Sequence, residues 1–243
     1  MLEISSAPRQ IQAHSALILV HPRSPANEIM DARSHIKGNA AIFKVGEHYT
    51  AEHRLRSYDV VFLFGTPNCL LDFNKRLHKD YWINFLTETK KDAHRRLVMW
   101  GDILNIAGSH VCIVPSKAIY VNQTGHSKSI DIETAGLNLL PHRIGYNYDP
   151  KDADTPKGVA LLRLSMQQPL TMLSSDGWYE AGPESYRLIE GKIYLLADGR
   201  SQTTTFISEV DHKPTTSSSN IRPIQAIYEE EAVQPAGVLT NEK

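Results

Sequence analysis

Short apolar runs separated by polar, turn-rich stretches recur along the chain, and their lengths indicate what each can build. Ala16 to Val20 (ALILV) is a continuous apolar run ended by His21-Pro22, the pattern of a strand buried on both faces of a parallel sheet. Polar, helical-looking residues follow from Ala26 to Ile36, and Ala40 to Val45 supplies a second strand. Asp59 to Phe64 (DVVFLF) is the strongest strand signal, rich in β-branched and aromatic residues, and runs into the loop Gly65-Thr66-Pro67-Asn68. Beyond it, apolar residues from Leu70 to Leu86 recur at helical spacing. Leu97 to Trp100 reads as the next buried strand. Strand, helix, strand in this order calls for a right-handed crossover and a parallel sheet.

Gly101-Asp102 turns out of that strand, and the mostly apolar stretch Ile103 to Val114 predicts a helix stopped by Pro115. Ala118 to Val121, a polar turn at Gln123 to Lys128 and the segment Ile130 to Tyr148 follow. Asp149 to Gly158, dense in Asp, Lys and Pro, marks a surface excursion. Val159 to Leu164, Leu170 to Leu173, Tyr186 to Ile189 and Lys192 to Leu196 read as late strands, the last two joined as a hairpin by Glu190-Gly191. From Ser208 onward, Thr, Ser, Pro and Glu leave little to bury. The fold class expected is α/β: one three-layer domain over residues 1–207, with a mostly parallel central sheet flanked by helices and a late β-hairpin. A low-complexity, mobile tail is expected over residues 208–243.

Composition narrows the class. Apolar residues make up 41% and charged residues 22% of the 243 residues, enough for one substantial core and ordinary for a globular chain. The 26 Lys and Arg nearly cancel the 27 Asp and Glu, which leaves no net field to hold nucleic acid or an anionic membrane. The densest basic cluster is Lys90, Lys91, His94, Arg95 and Arg96. It reads as the cationic end of a helix rather than a phosphate site. Cys69 and Cys112 lie in apolar surroundings without a CxxC motif, so a buried reduced pair is expected. The histidines show no HxH, HExxH or zinc spacing. Neither a metal nor another cofactor is therefore expected, and His53, His78 and His94 read as solvent-facing helical residues. No stretch approaches the ~20 apolar residues that cross a bilayer, and the first residues do not form a secretory signal. A cytoplasmic location is expected, which makes Asn122-Gln123-Thr124 a chance sequon.

Three segments, taken in order, carry a resemblance. Val60 to Leu71 (VVFLFGTPNCLL) is a strand running into a loop that keeps Gly65 and Asn68. Leu97 to Pro115 (LVMWGDILNIAGSHVCIVP) keeps Trp100, the run Ala107-Gly108-Ser109 and a terminal proline. Ala135 to Tyr148 (AGLNLLPHRIGYNY) is the third. Together they resemble the dipeptidase E family of serine hydrolases, whose members have a class I glutamine-amidotransferase-like sheet with a nucleophile at a sharp strand-to-helix turn. Leu173 to Leu196 is a weaker fourth match to the family's closing segment. The matches span about Asp59 to Asp198.

The resemblance implies a nucleophile, a histidine, an acid and backbone donors for an oxyanion, and this sequence departs from each. The nucleophile falls at Gly101 if Trp100 anchors the alignment, or at Ile106 if Ala107-Gly108 does. The histidine falls at Asn147 and the aspartate near Asn122, and an amide does not titrate at neutral pH. Thr66 and Pro67 stand where glycines would be, and Pro67 has no N–H to donate.

Several residues remain as candidates. A rebuilt site would use Ser109 as nucleophile with His126 or His142 as base and Asp131 as the orienting acid. Ser109 and His110, as neighbours on a helix, would point apart and form no dyad, and His142 after Pro141 reads as a surface histidine. Asp102 follows a parallel strand, at the sheet edge where open α/β folds bind ligands, and could hold a ligand amine or a metal; a helix N-cap is its plainer reading. The expectation that follows is a catalytically degenerate dipeptidase E-like protein that binds or assembles through its cleft, with Gly65, Asn68, Gly101, Asp102 and Asn147 as ligand contacts. The alternatives are a serine hydrolase acting on a small peptide or amide, and an enzyme of different chemistry that reuses the cleft. Partners that fit are a small peptide-like or amino-acid-like ligand and a second copy of the chain; nucleic acid and membrane are not expected.

Overall fold

The run Ala16 to Val20 is the inner half of a longer strand, around which a central sheet assembles. The structure is a computed structural model and describes residues 1–46, 55, 57–112, 134–140, 142–166, 169–182 and 186–204. Strands β1 (Leu2–Ser5), β2 (Ile11–Val20), β3 (Ile36–Lys44), β4 (Val60–Phe64) and β5 (Arg96–Trp100) lie parallel in the order β3-β2-β4-β5-β1. Side chains alternate between the two faces, as strand geometry requires. Leu17, Leu19, Val61, Leu63, Leu97 and Met99 bury on one face, with Phe73, Leu77, Trp82, Phe85 and Leu86 from two helices. Ile18, Val20, Val60, Phe62, Val98 and Trp100 bury on the other, with Ile29 and Ala32 from a third. The helices are α1 (Ala26–Ser34), α2 (Leu70–Leu77) and α3 (Asp80–Lys91). This is the expected three-layer α/β architecture with a mostly parallel sheet.

The single helical pattern after Leu70 divides at His78-Lys79 into α2 and α3. Beyond β5 the expected helix Ile103 to Val114 does not form. A short 3-10 helix spans Gly101–Ile106, and the chain from Ile106 to Cys112 is instead laced by backbone hydrogen bonds to a later segment. Leu137 donates to Ile106, Leu139 to Ala107, Asn138 to Gly108 and Val111 to Thr134. Apolar continuity alone could not tell such a buried, extended passage from a helix.

The remaining elements are β6 (Arg143–Gly145), helix α4 (Pro156–Ser165), β7 (Leu170–Leu173), β8 (Trp178–Ala181), β9 (Tyr186–Glu190), β10 (Ile193–Ala197) and β11 (Arg200–Thr204). Strands β8 and β9 extend the central sheet antiparallel beyond β1, completing seven strands. A second, four-stranded sheet has the order β11-β10-β7-β6. Two expectations are corrected here. Val159 to Leu164 is helical, because the Thr155 hydroxyl accepts the Gly158 N–H at 3.1 Å and Pro156 opens the first turn, a cap with proline at the first helical position. The segments on either side of Glu190-Gly191 do not pair with each other: β9 joins β8 in the large sheet and β10 joins β7 and β11 in the small one. Gly191, at φ +77°, is where the chain changes sheets. The hairpin that does form is β10 with β11, and its two-residue turn is Asp198-Gly199, both at positive φ (51° and 73°), the Asp-Gly signature of a type I′ turn.

The basic cluster is used internally. Lys90 and Lys91 end α3, while buried Arg95 donates to the carbonyls of Tyr58 and Leu55 and stacks over Phe85. Arg96 pairs with Glu3 and donates to the Gln12 carbonyl. His78 and His94 are exposed, as expected, but neither is within a helix: His78 is the C-cap of α2 and His94 lies in the turn after α3; His53 lies outside the described residues. Cys69 and Cys112 are buried and unbridged, and burial pushes the Cys112 thiol up to about 11. Among the described residues no helix is long and apolar enough to cross a membrane. The tail over residues 208–243 and the sequon at Asn122 also lie outside the described residues.

Candidate active-site turn and cleft

The carboxyl ends of β4 and β5 are neighbours in the sheet, so the loop after one and the turn after the other share an edge. Trp100 ends β5 in extended conformation, and Gly101 follows at φ +66°. A sharp turn of this hand is unfavourable for a residue with a Cβ. Among the described residues nothing lies within 4 Å of where a Gly101 Cβ would stand. Among the described residues, the turn is thus open on its Cβ side, at the edge where ligands of open α/β sheets bind. Gly101, and not Ile106 or Ser109, occupies it: Ile106 is fully buried, and Ser109 lies beyond the whole 3-10 helix.

Asp102 comes next and is not the helix cap, since the 3-10 helix already begins at Gly101 with Trp100 at its N-cap. Its Oδ1 accepts a 2.6 Å hydrogen bond from the Tyr146 hydroxyl. Burial, with the Asp102 hydrogen bond and charge adding to it, raises the Tyr146 phenol well above its usual range, so it stays a donor. Tyr146 immediately follows β6, and Asn147 comes after it in the left-handed region at φ 56°. The position that the resemblance gives to a histidine is thus tied to the position it gives to a nucleophile by the Tyr146–Asp102 bond.

Asn147 also stands at the rim of a cleft of about 590 Å³ lined by Tyr148, Asp149, Asp152, Lys157, Ser174, Asp176, Lys192 and Tyr194, among others. The Lys157 ammonium donates to the Asn147 carbonyl at 3.0 Å and holds that turn. The Ser174 hydroxyl, also in the lining, donates to Asp176 at 2.6 Å. Burial, with the charges of Asp149 and Asp176 adding to it, raises the Tyr194 phenol.

The loop after β4 is differently occupied. Gly65 is buried, and a Cβ there would meet the Ile103 Cδ1 at 2.7 Å. Its lack of a side chain lets the first turn after β5 pack closely. Asn68 is exposed within the 3-10 turn Pro67–Cys69, and the Thr66 side chain is buried.

The residues of a rebuilt Ser-His site are distributed as follows. Ser109 and His110 are not on a helix, and the Ser109 Oγ lies 3.2 Å from the His110 Nδ1; the expectation that they would point apart is corrected, because an irregular backbone replaces the helical one. The Ser109 N–H donates to the His142 carbonyl at 3.2 Å. His142 is half-buried rather than a surface residue, and burial with the nearby Lys90 charge pulls its imidazole down to about 4. His126 and Asp131 lie outside the described residues. Tyr146 escaped the sequence reading: a tyrosine one residue before the aligned position has no local pattern to single it out. Among the described residues no group of three or more His, Cys, Asp or Glu is arranged to hold a metal ion.

No family model matches the chain, and no curated protein does. Among solved structures, a 1.5 Å crystal structure of a protein from Listeria monocytogenes EGD-e, provisionally assigned to peptidase E, superposes with a TM-score of 0.52. The two share 9% sequence identity over 77% of this chain and 96% of that one. At that identity the likeness speaks to architecture and leaves the chemistry to the residues of each site: the chain has a peptidase E-like fold.

Proposed function

We propose that this chain is a catalytically degenerate peptidase E-like protein that binds a small peptide-like or amino-acid-like ligand at the turn after β5 and does not hydrolyse it. The observation that carries this reading is Gly101, at φ +66° in the sharp turn, with no described atom within 4 Å of where its Cβ would stand. A glycine there keeps the geometry of a nucleophile turn and has no atom to attack a carbonyl. Asp102 adds to the argument. An oxyanion developing beside its carboxylate would be opposed by like charge, where a hydrolase supplies donors instead. Asn147 accepts no proton at neutral pH.

The test is a fluorophosphonate probe on the folded chain, together with thermal melts in the presence of short peptides and free amino acids. No labelling, with a saturable rise in Tm for some of these ligands, is the expected result. Gly101→Ser should not restore hydrolysis, because nothing at Asn147 takes the proton.

The contact between the Ser109 hydroxyl and His110 Nδ1 favours a second reading, a serine hydrolase with a rebuilt site. Labelling abolished by Ser109→Ala would establish it and overturn the first.

A further inference from the structure

Asp102 has two carboxylate oxygens, and among the described residues only Oδ1 receives a hydrogen bond, from Tyr146. The carboxylate is half-buried, fixed in orientation by that bond, and directly follows the glycine whose missing side chain leaves the turn open. An ionised carboxylate accepts and does not donate, so Oδ2 seeks N–H donors, and best a positive one. Tyr146 is a fixed donor already spent on Oδ1. A ligand that completes this pair must therefore bring hydrogen-bond donors to Oδ2, beside the Gly101 turn, and an anionic or acceptor-only group there would be repelled.

We propose that the Asp102–Tyr146 pair is a recognition site for a small organic cation, a primary ammonium group seated above Gly101 with Asp102 as its counter-ion and Tyr146 as the positioning residue. This rests on reading the β5 edge as a binding cleft, and it names what the cleft selects: a cationic head, whether or not the ligand contains a peptide bond.

The test uses the full chain and a panel of alkylammonium fragments of a few carbons, each paired with its neutral N-acetylated form. Binding is read by amide chemical-shift perturbation at Gly101, Asp102 and Tyr146. The expected result is that the amines shift these amides and the acetylated partners do not. Asp102→Asn should weaken amine binding about 10- to 100-fold. Tyr146→Phe, which keeps the charge and loses its orientation, should weaken binding less. Equal binding of amine and acetylated forms would overturn cation recognition while leaving a binding cleft in place. Absence of shifts from any amine would overturn it as well. Fluorophosphonate labelling would instead strike the non-catalytic reading beneath it. Should Asp102→Asn fail to fold, Tyr146→Phe and the amine-to-acetyl comparison on the unaltered chain still decide the matter.

Discussion

His21, fully buried at the end of β2, holds its Nε2 2.7 Å from Oδ2 of Asp72 on α2. The Arg23 backbone N–H donates to Nδ1 of the same ring at 3.1 Å, so the ring proton faces Asp72. Arg76 donates to the same carboxylate oxygen at 3.0 Å. Removing the carboxylate would leave a buried imidazole donor without its acceptor, so Asp72→Ala should cost about 1–3 kcal/mol at neutral pH, measured by urea unfolding.

The same pair predicts a pH dependence. The His21 and Arg76 hydrogen bonds hold the Asp72 carboxyl at about 2, below its ordinary 3.8. A depressed carboxyl contributes stability that is fully present above the unfolded value and lost as pH falls through the folded one. The gap between the parent chain and Asp72→Ala should therefore be flat from about pH 7 to about pH 5 and narrow from about pH 4 toward 2. Asp72 is 38% exposed, so solvent screening keeps this linked share to roughly 1 kcal/mol or less. A gap that widens on acidification would contradict the assignment.

Two glycines separate backbone strain from collision. Among the described residues, Gly101→Ala meets no atom within 4 Å, and it carries the left-handed backbone penalty, about 1–2 kcal/mol. A Cβ on Gly108 would stand 2.2 Å from the His142 carbonyl oxygen, a backbone atom that cannot swing aside. Gly108→Ala should be the more destabilising of the two, by more than about 1 kcal/mol, and thermal melts should rank them so.

Arg95 is buried, with its guanidinium shared between two backbone carbonyls and the face of Phe85. Arg95→Lys keeps the charge and loses the fork, leaving at least one buried carbonyl unmet. It should destabilise by about 1–3 kcal/mol. Exposed Lys91, at the end of α3, the helix that carries Phe85, should tolerate Lys91→Ala within about 0.5 kcal/mol.

The parts of the fold that were legible in the sequence were those whose burial is two-sided. Ala16 to Val20, Val60 to Phe64 and Leu97 to Trp100 are continuous apolar runs because both their faces are covered. β1 was missed because its central position is disguised by Glu3, a buried carboxylate matched by Arg96 from β5. β9 and β10 were recognised as strands, yet sequence adjacency suggested a pairing that the sheets do not make. The Asp198-Gly199 turn carried the stronger hairpin signal.

The site was legible only in part: the sequence left Gly101 and Ile106 as alternatives for the turn after Trp100, and the positive φ is at Gly101. It was not legible where partners come from far along the chain. Nothing local to Asp102 announces Tyr146, and the side-chain contact of Ser109 with His110 depends on a backbone whose shape is set by hydrogen bonds to residues 134–142.

β1 sits between β5 and β8, so the middle of the large sheet is joined from segments at widely separated points of the chain. During synthesis, α1 to α3 and strands β2 to β5 can gather first, while β1 keeps one edge unpaired until β8 emerges. Such non-local pairing slows folding and prolongs the exposure of a strand edge. Deleting β8 and β9 should therefore yield an aggregation-prone remnant rather than a smaller folded domain, since it reopens β1, which carries Leu2 and Ile4, as an edge.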